Sequence, residues 1–390
     1  MWTLTIGARI VYPVVMPGIQ GEFGFGYSTV GILVGVVWGA YGLMQFPGGL
    51  LADVRTDRLA ILVGMVVTMV GLMVLLLGNS FVLLVFATAV LGAGTGILGP
   101  SRVIVLATAF PEAKSTAVSV SQAAGTLGNA IFPVVAGVVM AILGWRAGVG
   151  FLLPFCLLVT VGLWLAVPQR TDDGSTDSPT DTLATAGRAL TSQSAVLGTA
   201  TMLGVMITFQ SLTGFLPTYF VDVSALSPAH ATVLFGLFFA SGLVMQLSAG
   251  VVGDRLDPGH TVGLFAAVAI PGQVLILSAD SLWILTIGVV LASGLLGCFP
   301  PGLTYLASAF PSAVQGTGFG VIRTVYIGGG ALGPVTVGVV ADHSSLWSGF
   351  LALVVVLGCI VILTSLLPTL HAARPVEEST RATPVSPRID

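Results

Sequence analysis

The run Met44-Gln45-Phe46-Pro47-Gly48-Gly49-Leu50-Leu51-Ala52-Asp53 returns 201 residues later as Met245-Gln246-Leu247-Ser248-Ala249-Gly250-Val251-Val252-Gly253-Asp254. Leu106-Ala107-Thr108-Ala109-Phe110-Pro111 returns as Leu306-Ala307-Ser308-Ala309-Phe310-Pro311 at an offset of 200, and Pro100 and Pro133 return as Pro301 and Pro334. One offset serving such distant markers means that the chain is two copies of a single unit. The fold must therefore be read in halves.

The halves are made for lipid. Of 390 residues, 55% are hydrophobic and 7% charged, against about 25% charged in soluble domains; the mean hydropathy is +1.03. Apolar runs of about 20 residues span a hydrocarbon core, and twelve are predicted, at 2–20, 28–51, 59–78, 81–109, 115–143, 147–167, 193–220, 228–253, 260–278, 282–309, 314–341 and 346–368. The fold class is thus all-α integral membrane, with residues 1–167 and 193–368 as two six-helix halves. Six is even, so the halves run in parallel, related by an axis along the membrane normal. Such repeats mark secondary transporters, whose site lies between the halves near the midplane.

Charge orients the chain. With the N-terminus inside, Arg55, Arg58, Lys114, Arg170, Arg188, Arg255, Arg374, Arg381 and Arg388 face the cytoplasm and Arg146 alone faces outward, as the positive-inside rule demands. The expected location is the plasma membrane, with both termini cytoplasmic. Residues 168–192, rich in Asp, Ser, Thr and Pro, read as a cytoplasmic linker in which Leu183–Leu190 can form a short interfacial helix; residues 369–390 read as a disordered tail. The first run carries Arg9 and leads to Pro17 and Glu22 rather than a signal-peptide cleavage site. Cys156, Cys298 and Cys359 lie in apolar stretches without metal-ligand spacing, and read as buried small hydrophobes. No cofactor, no metal and no nucleic-acid partner is expected, and the expected state is a monomer in the lipid bilayer.

Gly49-Leu50-Leu51-Ala52-Asp53-Val54-Arg55-Thr56-Asp57-Arg58, between spans 2 and 3, resembles the loop signature G-x-L-[AG]-D-R-x-G-R-[RK] of the major facilitator superfamily. Gly250-Val251-Val252-Gly253-Asp254-Arg255 resembles it again between spans 8 and 9. Val54 and Asp57 depart from the basic part of the signature, and Pro258-Gly259 replace it in the second loop. The resemblance covers essentially the whole chain. It implies alternating access, with spans 1, 4, 7 and 10 lining a central cavity and spans 2, 5, 8 and 11 flanking it. It also implies a gating role for Asp53, Arg55, Arg58, Asp254 and Arg255, an Asp at a helix end meeting the positive N-terminus of a neighbour. The Gly329–Gly333-Pro334–Gly338 pattern of span 11 resembles the family's antiporter signature but stands in another span, and reads as packing.

Three charges remain inside spans, and all are positive: Arg9, Arg102 and Arg323. Intramembrane arginine costs at least about 2.5–3.5 kcal/mol, which makes each a site hypothesis. At the repeat offset Arg9 corresponds to Gln210, Arg323 to Gln122 and Gln45 to Gln246, whereas Arg102 corresponds to Leu303. Arg9, Arg323, Arg102, Gln210 and Gln122 are therefore the candidate substrate-binding residues. Cationic side chains without an intramembrane carboxylate suit a small anion, whose oxygens a guanidinium holds bidentately. Within the superfamily, intramembrane basic residues are typical of anion carriers, but Gln45 and Gln246 stand where the nitrate group has arginines. The plainer readings are that Arg9 snorkels to the interface, that Arg102 joins Asp53 or Glu112 in a gate, and that the glutamines tie helices. An exporter of drugs or other cationic or neutral molecules is the alternative function.

Overall fold

The computed structural model describes residues 1–54, 57–109, 114–166, 192–279, 281–309 and 315–367. Every regular element among them is a helix. Spans 1 to 6 run Trp2–Phe23, Tyr27–Leu43 continued by Gln45–Val54, Asp57–Leu76, Phe81–Ala109, Lys114–Leu143, and Trp145–Gly150 continued by Leu152–Ala166. Spans 7 to 9 run Gln193–Asp222, Pro228–Gly253 and Pro258–Ser278. Span 10 comes in three pieces, Leu282–Ala292, Gly294–Gly297 and Phe299–Ser308; span 11 is Gln315–Gly330 continued by Leu332–His343, and span 12 is Leu346–Ser365. Eleven spans, from Tyr27 onward, are long and apolar enough to cross a bilayer. The preceding helix has 22 residues, about 33 Å at 1.5 Å each, and makes the twelfth.

Predicted and observed spans agree within a helical turn, apart from the internal breaks. Proline accounts for two of the breaks. The second division of span 10, at Cys298, falls beside Pro300 and Pro301, which remove amide donors. In span 11 Pro334 cannot serve the carbonyl of Gly330, and the Ala331 amide bonds Gly328 at 3.1 Å, one residue short of the α-helical partner. The linker lies outside the described residues except Ser192, which caps span 7 by accepting from the Ala195 amide at 3.2 Å. Leu183–Leu190 and the tail lie outside them as well.

Helix neighbours repeat as the sequence does. In the first half span 5 packs on span 1, span 4 on spans 2 and 3, and span 6 on span 3. In the second half span 11 packs on span 7, span 10 on spans 8 and 9, and span 12 on span 9. The seam between halves obeys the same symmetry: span 2 meets span 11, and span 5 meets span 8. Small residues bring the backbones together there. A Cβ on Gly31 would stand 2.3 Å from the Pro334 carbonyl oxygen, one on Gly35 2.8 Å from that of Ala331, and one on Gly42 2.8 Å from the Gly328 nitrogen.

The seam is pinned at the end away from the linker, here called the far end. The Asp342 carboxylate, closing span 11, accepts from the Tyr27 and Ser28 amides at 2.7 and 2.8 Å, so it caps the first turn of span 2 from the other half. The Tyr27 hydroxyl donates to Asp222 of span 7 at 2.9 Å. These three hydrogen bonds all join the halves at one end of the seam. Gly26 permits the cap, since a Cβ there would meet both Asp342 oxygens at 3.0 Å. Beside it, within the first half, Arg146 grips Glu22 with two bonds of 2.7 Å, and the Trp145 ring nitrogen donates to the same carboxylate at 2.6 Å.

Candidate functional site

Arg9 is drawn inside rather than snorkelling: 3% of it is exposed. Span 1 carries it against span 2, where its guanidinium carbon stands 3.7 Å from the centre of the Tyr41 ring and 4.9 Å from that of Trp38. Two aromatic faces stabilise a desolvated cation by roughly 2 kcal/mol or more. Two of its nitrogens, Nε and Nη1, are nonetheless buried without a hydrogen-bond partner. Arg323 of span 11, partly buried, reaches the same place from the other half. The Tyr41 hydroxyl is the shared hydrogen-bonding partner of Arg9 and Arg323, and the two guanidinium groups lie close enough to repel. The Arg323 Nε is likewise buried and unpartnered.

Arg102 joins them from span 4, within electrostatic reach of Tyr41 and Arg323. It lies 3.9 Å over the Trp2 ring and donates to Ser121 Oγ at 2.9 Å and to Gln122 Oε1 at 3.4 Å. The repeat leaves Arg102 without a counterpart; its support comes instead from neighbouring span 5. Glu112 and the Asp53 side chain, its alternative partners, lie outside the described residues. Gln122 thus serves Arg102 rather than standing alone opposite Arg323. Among the described residues none of the three arginines has a carboxylate partner.

Gln210, fully buried in span 7, donates to the Ile327 carbonyl at 2.9 Å. That carbonyl is free because the Ala331 amide has turned to Gly328, so Gln210 ties span 7 to the break in span 11. Its Oε1 remains buried and unpartnered beside the arginines' seam. Ring packing continues from Trp38 to Phe209 at 5.8 Å, and from Phe209 to Phe299 at 5.3 Å and Phe239 at 6.5 Å. The residues that pattern reading missed are Tyr41, Ser121 and this ring set. One signal was available: Trp38 corresponds to Phe239 at the offset of 201, an aromatic in both copies. Tyr41 corresponds to Gly242 and carries no such mark.

Two matches to one family model, Major Facilitator Superfamily, cover residues 2–334 and 225–389, overlapping as a duplicated chain requires. The chain belongs to the Major Facilitator Superfamily. It is a multi-pass membrane transporter with that superfamily's fold. It is 23% identical over 271 residues to a cis,cis-muconate transport protein of Acinetobacter baylyi (strain ATCC 33305 / BD413 / ADP1), an alignment of 66% of this chain that spans 64% of that relative's length. A bacterial homologue of the human lysosomal transporter Spinster, inward-facing and unoccupied, superposes with a TM-score of 0.79 at 17% identity, covering 94% of each chain. The nucleoside transporter NupG superposes with a TM-score of 0.76 at 13% identity, covering 94% of this chain and 98% of that one.

The superfamily's loop signature is only partly described. Arg55 and the side chain of Asp53 lie outside the described residues. Arg58 donates to the Trp164 carbonyl of span 6, a bond inside the first half. Asp254 and Arg255 are exposed where span 8 ends.

Proposed function

We propose that this Major Facilitator Superfamily transporter carries a small organic anion by alternating access. The observation that carries the reading is Arg9, nearly fully buried with two unpartnered nitrogens, facing Arg323 across the seam with no carboxylate partner for either among the described residues. Burying an unpaired charge is costly, and the cost is removed when an oppositely charged ligand completes the pair. The 23% identical relative, named for a carboxylate, points the same way.

The parts have distinct tasks in this reading. Arg9 and Arg323 hold the anion's oxygens, one from each half, so bound cargo draws the halves together around itself. Tyr41 sets the two guanidinium groups in register. Arg102, on Ser121 and Gln122, keeps the cavity positive on its N-terminal flank. Gln210 offers one unused acceptor, suited to a hydroxyl or a protonated carboxyl. The ties at the far end describe the state closed on that side.

Purified protein in liposomes, offered panels of small organic anions, cations and neutral solutes, tests the proposal. Flux of carboxylates, lost in Arg323→Gln and Arg9→Gln, is the expected result. Flux of cations alone, undiminished in either variant, would overturn it and favour the cation-exporter reading.

A further inference from the structure

We infer that the site prefers anions whose carboxylate is conjugated to a flat π system, an aromatic ring or a polyene, over saturated acids of equal size and charge. The inference rests on the anion reading of Arg9 and Arg323 and says what lies beyond the carboxylate. Its basis is the wall that continues from the arginines. Trp38 and Tyr41 of span 2 meet edge to face at 5.8 Å, and Trp38 meets Phe209 of span 7 at 5.8 Å. Phe209 in turn meets Phe299 of span 10 at 5.3 Å and Phe239 of span 8 at 6.5 Å. Two rings thus adjoin Arg9, and three more, from spans 7, 8 and 10, continue the contact from Trp38.

Their position argues against a merely inert core. Trp38 belongs to the first half and Phe209 to the second, so their contact lies on the seam along which an alternating-access carrier must open. Phe299 is not fully covered even in this state. The pairs are edge-to-face, with interplanar angles of 74° and 87° at Phe209, so electropositive ring edges are presented to neighbouring π faces. A flat π tail offers such a face; a saturated tail offers none. Conjugation adds a geometric term. In benzoate or a dienoate the carboxylate shares the plane of the tail, so a guanidinium that fixes the carboxylate also fixes the plate. A saturated acid turns freely about that bond and loses that freedom on binding. Burial of apolar area would reward both kinds of tail alike, so the discrimination must come from ring contact and planarity. Ring contacts of this kind correspond to a preference of about two- to tenfold.

The test is equilibrium binding to the purified full-length transporter in detergent or nanodiscs, with two matched pairs: benzoate against cyclohexanecarboxylate, and sorbate against hexanoate. The flat member of each pair is expected to bind several-fold tighter. Phe209→Leu and Phe299→Leu should bring each ratio close to one while both acids still bind, and Arg323→Gln should weaken all four. The ratios in the unaltered protein decide the matter even if a ring variant fails to fold. Equal affinity within both pairs overturns the preference and leaves the anion reading standing. Binding of none of the four, with organic cations bound instead, overturns both.

Discussion

Arg323 and Arg9 enter from different halves, and removing either leaves the other facing Tyr41 alone. A charged hydrogen bond lost from a buried site costs about 1.5–3 kcal/mol. Arg323→Gln is therefore expected to weaken anion binding by roughly 10- to 150-fold; isothermal titration against the unaltered protein reads it, and a change below about threefold would remove Arg323 from the site. Tyr41→Phe keeps the ring beneath Arg9 and deletes the hydroxyl shared with Arg323. That hydroxyl's bond is charge-assisted, but it positions the guanidinium groups without touching cargo, so anion binding should weaken by less than in Arg323→Gln. A loss as large as that of Arg323→Gln would mean that the hydroxyl itself touches cargo. Arg9, Arg102 and Arg323 were legible as site candidates because no other charge lies inside a span. Their company was not. Whether Arg102 meets Asp53, Glu112 or Gln122 depends on which face span 5 turns to span 4, and its counterpart Leu303 carries no information on that. Tyr41 looked like one more aromatic in an apolar run until three guanidinium groups were found around it.

Among elements, the spans could be read off almost to their ends, because a run of about 20 apolar residues has no other stable home. The far-end closure could not. Asp342 and Tyr27 are 315 residues apart, and an acidic residue at a helix end reads as a solvated terminus until the opposing half is in place. Once it is, Asp342 satisfies two of the amides that the first turn of span 2 leaves without helical partners, and its charge faces that helix's positive end. Asp342→Asn keeps one acceptor and loses the charge. A differential of about 1–2 kcal/mol between states moves populations roughly 5- to 30-fold. The variant should therefore spend more time open at the far end, read as a lengthened distance between spin labels on the far ends of spans 2 and 11. Gly26→Ala should act in the same direction, by wedging a methyl against both Asp342 oxygens. An unchanged distance distribution in both variants would show that the backbone packing of spans 2 and 11 holds this end shut without the cap. Asp53→Asn, at the linker end, is expected to act oppositely and favour opening toward the linker.

At the scale of the whole molecule, three fixed positive charges must move with the seam, and nothing described inside the spans can discharge them. Arginine does not deprotonate in proteins. The carboxylates nearest the bilayer are committed elsewhere: Glu22 is gripped by Arg146 and Trp145, Asp342 caps span 2, and Asp222 accepts from Tyr27. An intramembrane proton relay of the kind that drives many carriers needs a titratable group whose charge can vary in the cavity. Without one, reorienting the empty carrier means carrying uncompensated cations through the occluded state. A bound anion removes that penalty, so return of the carrier depends on cargo. The expected behaviour is exchange: labelled anion should enter liposomes loaded with unlabelled anion far faster than empty ones, by about tenfold for each 1.4 kcal/mol that cargo takes off the barrier. A pH gradient should drive accumulation only where the cargo itself carries the proton. The deciding measurement is uptake of a non-protonatable anion by proteoliposomes under an imposed pH gradient. Strong uphill uptake that disappears in Glu22→Gln would show that the Arg146–Glu22 pair opens during the cycle and passes a proton, and that the positive cavity is discharged from the far end rather than by its cargo.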